Sequence, residues 1–195
     1  MVDTNTYQTA LAMVKALKES PATGGFFADD DELSPVRRYY QLKFKATIED
    51  VGYRCMMDEV VADYEKKIIY PIDLKTSSIP EWEFEKSFIK WHYLIQAIMY
   101  YNILLNNVKK DPYFKDFTID DYRFIVVNPK TLTPLVWKFP LTKERGPFID
   151  DEGNEWPDPF VLGKELRTYL DCKPPVPIGI NKDGVNIIRC LRKKE

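Results

Sequence analysis

Residues 67–77, KIIYPIDLKTS, set an aspartate and a lysine two positions apart in a run with the β-branched and aromatic make-up of a buried strand. Residues two apart in an extended chain share a face, so Asp73 and Lys75 project together while Ile72 and Leu74 are expected to enter the core from the other side. Upstream, CMMDEVVAD carries Asp58 in a second apolar strand. A tight turn near Asp63–Lys66 folds that strand back on the one bearing Asp73, so two carboxylates and one ammonium converge. Neighbouring carboxylates repel unless a cation lies between them, and all-oxygen ligands suit Mg²⁺ or Mn²⁺. A purely structural ion pair, with Lys75 serving Asp58 or Asp73, stays open at this point.

Outward from this strand the element order becomes readable. Apolar residues at 7, 10, 11, 13, 14 and 17 predict a helix over 6–20, ended by Ser20-Pro21, and a loop follows. RRYYQLKFKATI (37–48), YRCMMDEVVADY (53–64) and KIIYPIDLKTS predict a β-meander. From Pro80 to about Asn106, the spacing of Trp82, Phe88, Trp91, Ile95, Ile98, Met99 and Ile103 predicts one long amphipathic helix. Two strands, YRFIVVN and PLVWKFP, an acidic loop and a helix over 158–171 complete the pattern, with a tail hairpin expected around Asp183-Gly184. The expected class is α/β (α+β): a mixed central β-sheet flanked by helices. A single domain spans 1–195, with an N-terminal helix 6–20, a core 37–140, and a C-terminal helix and tail 158–195. On the long helix, a spacing of four puts His92, Gln96 and Tyr100 on one stripe, where an amide and a phenol can serve a phosphate or a metal-bound water.

A chain of 195 residues, 45% hydrophobic and 14% aromatic, can bury a proper core. The net charge of −2 gives no global basic signature, so a nucleic-acid partner must be held by local patches such as Arg37-Arg38 and Lys43–Lys45 or through metal ions. The longest apolar run, 93–105, is interrupted by Gln96 and Asn102 and is too short for a membrane span. With no leader-like start, the expectation is a soluble, cytoplasmic protein without a membrane partner. Cys55, Cys172 and Cys190 form no C-x-x-C pair and read as reduced thiols rather than disulfides or zinc ligands. No Gly-rich phosphate loop or GxSxG elbow is present.

Jointly, Asp58, Asp73-Leu74-Lys75 and Gln96-x-x-x-Tyr100 resemble the PD-(D/E)XK nuclease superfamily, in its RecB/RecE-like branch. The likeness extends through IDLKTSSIP and KWHYLIQAIMYY and covers roughly residues 39–140. It implies a restriction-endonuclease-like core and metal-dependent hydrolysis of DNA phosphodiester bonds. Asp58, Asp73 and the Leu74 backbone carbonyl would ligate Mg²⁺ or Mn²⁺. Lys75 would activate water and steady the phosphate, and Gln96 and Tyr100 would hold DNA or the water network. His92 is a further DNA-contact candidate, although a structural role fits a lone histidine better. An upstream acidic ligand is usual in these nucleases, and here Glu19 is the best-placed candidate beside Asp29–Glu32. Iron–sulfur clusters in some RecB-like relatives need three clustered C-terminal cysteines. Cys172 and Cys190 stand eighteen apart, so no cluster is expected. DNA is the implied partner, with a recombination annealing protein and a homo-oligomer also compatible. An exonuclease of phage-type recombination or repair is the leading expectation. A non-catalytic DNA-binding relative, and an endonuclease or CRISPR-adaptation-type nuclease without a cluster, are the alternatives.

Overall fold

The N-terminal helix α1 (Thr4–Glu19) starts where the Asp3 carboxylate accepts the Thr6 amide at 3.0 Å, an N-cap that satisfies one orphan donor. The computed structural model describes residues 3–29 and 31–171. A short helix α2 (Gly24–Phe27) interrupts the expected loop, and the meander follows as β1 (Val36–Ile48), β2 (Val51–Asp63) and β3 (Ile68–Thr76). Helices α3 (Phe84–Lys90) and α4 (Tyr93–Val108) then cross over to β4 (Thr118–Ile119), β5 (Tyr122–Val127) and β6 (Leu135–Phe139). The central sheet is mixed and six-stranded, in the order β1-β2-β3-β5-β6, with β4 paired to the start of β3. Only the β3 contacts with β4 and β5 are parallel, as a helical crossover requires. The mixed α/β class read from the sequence is the class observed.

Each turn has a local cause. Ile48 faces Val51, so Glu49 and Asp50 form a two-residue hairpin loop, both left-handed at φ 50° and 64°. Between β2 and β3, Asp63 accepts the Lys66 amide and ammonium, each at 2.9 Å, closing the turn expected there. Side chains then sort by face. Met57, Val60, Ala62, Phe124 and Val126 pack under α4 with Ile103 and Leu104, while Val61, Ile72, Ile125 and Val127 meet Leu17 of α1 on the other face.

Two expectations need correction. The segment 80–106 is not one helix: Trp91 closes α3 by donating to Ser87 O at 2.9 Å, and His92 turns left-handed at φ 56° before α4 begins. The break lets Phe88 of α3 and Tyr93 of α4 flank the same ring, Phe124, at 5.7 and 5.9 Å, and leaves Trp91 mostly exposed. The acidic loop after β6 also holds structure. β7 (Phe148–Ile149) and β8 (Glu155–Trp156) form a small hairpin around Asp150, which accepts the Glu152 and Asn154 amides and the Trp156 indole at 3.0, 2.8 and 3.1 Å. Helix α5 (Pro159–Asp171) docks Phe160 edge-on to Tyr53. Among the described residues no helix is long and apolar enough to cross a membrane. The tail hairpin, Cys172 and Cys190 lie outside the described residues.

Asp50 bears a side chain at a left-handed position, which glycine occupies without steric cost. Asp50→Gly should therefore raise unfolding stability by about 0.5–1 kcal/mol, read as a higher urea midpoint at unchanged slope.

Candidate active site

The β2–β3 ladder runs from Asp63↔Ile68 to Glu59↔Ile72 and stops one step before Asp58 and Asp73 would face each other. Past that point β3 stays paired to β5 through Thr76↔Val127, so the two neighbours of Asp73 diverge and leave a cleft. Asp58 Oδ2 spans it, accepting the Leu74 amide at 3.0 Å. A side chain thus replaces the missing strand as hydrogen-bond partner.

Asp58 is aimed there by a shared break in alternation. Cys55 and Met57 pack into the α4-side core with Val60 and Ala62, which simple alternation forbids, so β2 changes parity at Asp58. Tyr39, Leu42 and Phe44 do the same on β1, where Gln41 sits at φ 54°. The ladder omits the Gln41/Asp58 pair, and Gln41 Nε2 donates instead to Asp58 Oδ1 at 3.3 Å.

On the α4 face, Asp73 is nearly fully buried. Lys75 Nζ lies 2.6 Å from Asp73 Oδ2 as a close ion pair. Gln96 Nε2 donates to Asp73 Oδ1, and Lys75 Nζ donates to Gln96 Oε1 at 3.0 Å, closing a three-membered polar ring between β3 and α4. The ammonium also sits 4.4 Å from the centre of the Tyr93 ring, a cation–π contact made possible by the break at His92. Burial pushes the Asp73 carboxyl above the usual carboxylate range and the nearby Asp58 charge adds to this, while Lys75 and Gln96 pull it down. Tyr100, one turn beyond Gln96, has its phenol raised by burial, with Cys55, Asp73 and Asp58 contributing.

The sequence-derived candidates are placed as follows. Asp58, Asp73, Lys75, Gln96 and Tyr100 come together. Leu74 does not enter the core as expected. It is exposed beside α1, because the cleft removes the neighbour that would have covered it. His92 leaves the stripe of Gln96 and Tyr100, since its left-handed backbone turns the ring edge-on to Trp156 at 4.5 Å. Glu19 ends α1 on the surface, 3.9 Å from Lys15, and Asp29 pairs with Lys18 at 2.8 Å. Among the described residues no group of three or more His, Cys, Asp or Glu side chains could hold an ion. What converges is a pair of carboxylates, Asp73 with the Lys75 ammonium as its counter-cation and Asp58 beside it, an all-oxygen donor set of the kind hard divalent ions take.

A cavity of about 660 Å³ opens beside Asp58, walled by Val14, Leu17 and Lys18 of α1 together with Phe27, Tyr40 and Leu74. A second, apolar cavity of about 490 Å³ lies under the end of α4 between Leu42, Phe44, Leu104 and Phe114, away from the carboxylates. Two residues at the site escaped the sequence reading: Gln41, which nothing in strand periodicity marks, and Tyr122, buried on β5 beneath Tyr100. Cys55, expected as a reduced thiol, is free and buried, with its thiol pushed up to about 11 by burial. No family model matches the chain, and no curated protein matches it either.

Gln96 serves a carboxylate and an ammonium at once, and hydrogen bonds to charged groups contribute about 1.5–3 kcal/mol each. Gln96→Met, which keeps the volume and loses both bonds, should lower stability in chelator by about 3–6 kcal/mol. A denaturant titration at constant slope checks it.

Proposed function

We propose that this chain is a divalent-metal-dependent deoxyribonuclease of the PD-(D/E)XK type, in its RecB/RecE-like branch, acting as an exonuclease on linear DNA. The observation that carries the reading is the polar ring of Asp73, Lys75 and Gln96 at a cleft bridged by Asp58. Residues far apart in sequence meet at one place: Gln96 of α4 bonds Asp73 and Lys75 of β3, and Asp58 of β2 bonds the Leu74 amide between them.

The donor set fits Mg²⁺ or Mn²⁺, with Asp58, Asp73 and the Leu74 carbonyl as the residues that would hold it. Such an ion, when bound, polarises a phosphoryl oxygen and lowers the pKa of its water. The protein's own groups supply the rest. Lys75 is a compact ammonium on a flexible stem, partly open to solvent, and can turn from Asp73 toward the attacking water or the phosphate. Gln96 keeps Lys75 oriented during that exchange, because its amide bonds both partners. Tyr100 offers a hydroxyl from the next turn of α4. The cleft beside α1, with the Val14 and Leu74 side chains on its wall, gives a substrate strand access to Asp58. On this reading DNA is the partner, a cytoplasmic setting follows, and an annealing protein or further copies of the chain would assist processive recombination.

Incubation with end-labelled linear duplex and closed circular DNA in Mg²⁺ or Mn²⁺ tests this. Exonuclease action degrades the linear form alone; cutting of the circle would indicate an endonuclease, and retention without cutting a binding protein. Asp58→Ala and Asp73→Ala should each lower cleavage by roughly a thousand-fold, about 4 kcal/mol of transition-state stabilisation. Lys75→Arg should fail to restore it, since a planar guanidinium cannot replace the ammonium in this ring. Near-normal turnover by any of the three would sink the assignment.

A further inference from the structure

Tyr122 opens β5 two residues before Phe124, the register partner of Asp73, and therefore shares the face on which Asp73 meets Gln96. It is fully buried, and its ring lies 5.2 Å from Phe124 and 6.5 Å, edge-on, from Tyr100. Its backbone is fixed: the amide donates to Thr142 Oγ1 at 3.1 Å, and that hydroxyl in turn donates to Phe139 O. Yet the phenolic oxygen has no hydrogen-bond partner among the described residues. A buried hydroxyl left unpaired is costly, and phenylalanine would fill the same space without that cost.

The surroundings indicate what the hydroxyl is for. Burial raises the phenol well above its ordinary value, and the charges of Asp73 and Asp58 contribute, with Tyr100 and Cys55 close by. The hydroxyl is thus a donor on the face that carries Asp73, close to both carboxylates. Asp73 meanwhile has both oxygens engaged, Oδ1 by Gln96 and Oδ2 by Lys75. The role proposed for Lys75 at water or phosphate requires it to leave Asp73, and that departure strips a buried carboxylate of its main counter-charge.

Resting on the nuclease reading above, we propose that Tyr122 is a positioning residue of this site. Its hydroxyl is the reserve donor that steadies Asp73 when Lys75 turns to the substrate. It touches neither substrate nor reacting atoms and acts through Asp73.

The test compares wild type with Tyr122→Phe, using Tyr101→Phe as a control. The Tyr101 hydroxyl donates to Ile119 O at 3.5 Å, in the core beyond the site. Three readouts are taken: thermal midpoint in EDTA, the Mn²⁺ concentration dependence of that midpoint, and kcat and KM on linear duplex DNA. In EDTA, Tyr122→Phe should match or exceed wild type, because no contact is lost. Its Mn²⁺ response should shift to about ten-fold higher concentration and kcat should fall about ten-fold with KM unchanged, the scale seen when groups supporting a metal ligand are removed. Tyr101→Phe should keep the wild-type Mn²⁺ response. A Tyr122→Phe protein that matches wild type in Mn²⁺ response and kcat overturns the inference alone, and so does one that fails to fold, since the hydroxyl would then be a structural contact. A wild type that neither cleaves DNA nor responds to Mn²⁺ overturns the nuclease reading and the inference with it.

Discussion

A carboxylate buried under a helix has to be neutralised, hydrogen-bonded or protonated, and the Asp73 carboxylate sets this demand at the centre of the fold. Lys75 meets it from the same strand and Gln96 from the crossover helix. The ring fixes more than a charge. It pins α4 to β3 at one register, because Gln96 bonds both partners, and the rest of α4 then falls on Met57, Val60 and Phe124. The break at His92 belongs to the same solution. It places the Tyr93 ring over the ammonium, so Lys75 is held by a carboxylate, an amide and an aromatic face.

The linker from β3 to α3 is anchored with similar economy. Glu81 is fully buried, and its Oε1 accepts the Asn128 amide at 3.1 Å and the Thr131 hydroxyl, with the Thr133 amide at 3.4 Å. The Trp137 indole donates to the Glu81 carbonyl at 3.1 Å. These bonds tie the exit from the Lys75 strand to the turn between β5 and β6, so the strand cannot slide against its parallel neighbour without breaking charge-assisted bonds. The site therefore rests on two buried carboxylates of different kinds: Asp73, whose burial raises its pKa, and Glu81, whose hydrogen bonds lower it against the opposing effect of burial.

What the sequence made legible follows from which features have a period. The strands, the turn at Asp63–Lys66 and the shared face of Asp73 and Lys75 depend on a repeat of two, and Gln96 with Tyr100 depends on a repeat near four. Features that break a repeat stay hidden. Gln41 and Asp58 change strand parity together, yet glutamine carries no sign of a left-handed backbone. His92 interrupts a stretch whose apolar spacing continues across it, and Leu74 reads as a core residue because the end of the β2–β3 ladder cannot be seen in composition. Tyr122 reads as an ordinary aromatic strand residue, and only its enclosed, unpaired hydroxyl distinguishes it.

The four carboxylate oxygens are not equivalent, and their differences bear on how the site could open. Asp58 Oδ2 completes the backbone hydrogen bonding of β3 through Leu74, so releasing it would leave a strand amide to solvent. Asp73 Oδ1 is bound by Gln96, which is itself fixed on α4. The two remaining oxygens hold no backbone or helix in place: Asp58 Oδ1 has a long 3.3 Å bond from Gln41, and Asp73 Oδ2 has the Lys75 ammonium at 2.6 Å, a partner that a cation could replace in kind. A cation entering between the strands would thus compete first with an amide at the limit of hydrogen-bond length and with an ammonium of like charge. The contacts that hold the fold, to Leu74 and Gln96, need not be broken. Separating fold-holding from exchangeable oxygens in this way would let one pair of aspartates keep the sheet intact while Asp58 Oδ1 and Asp73 Oδ2 change partners.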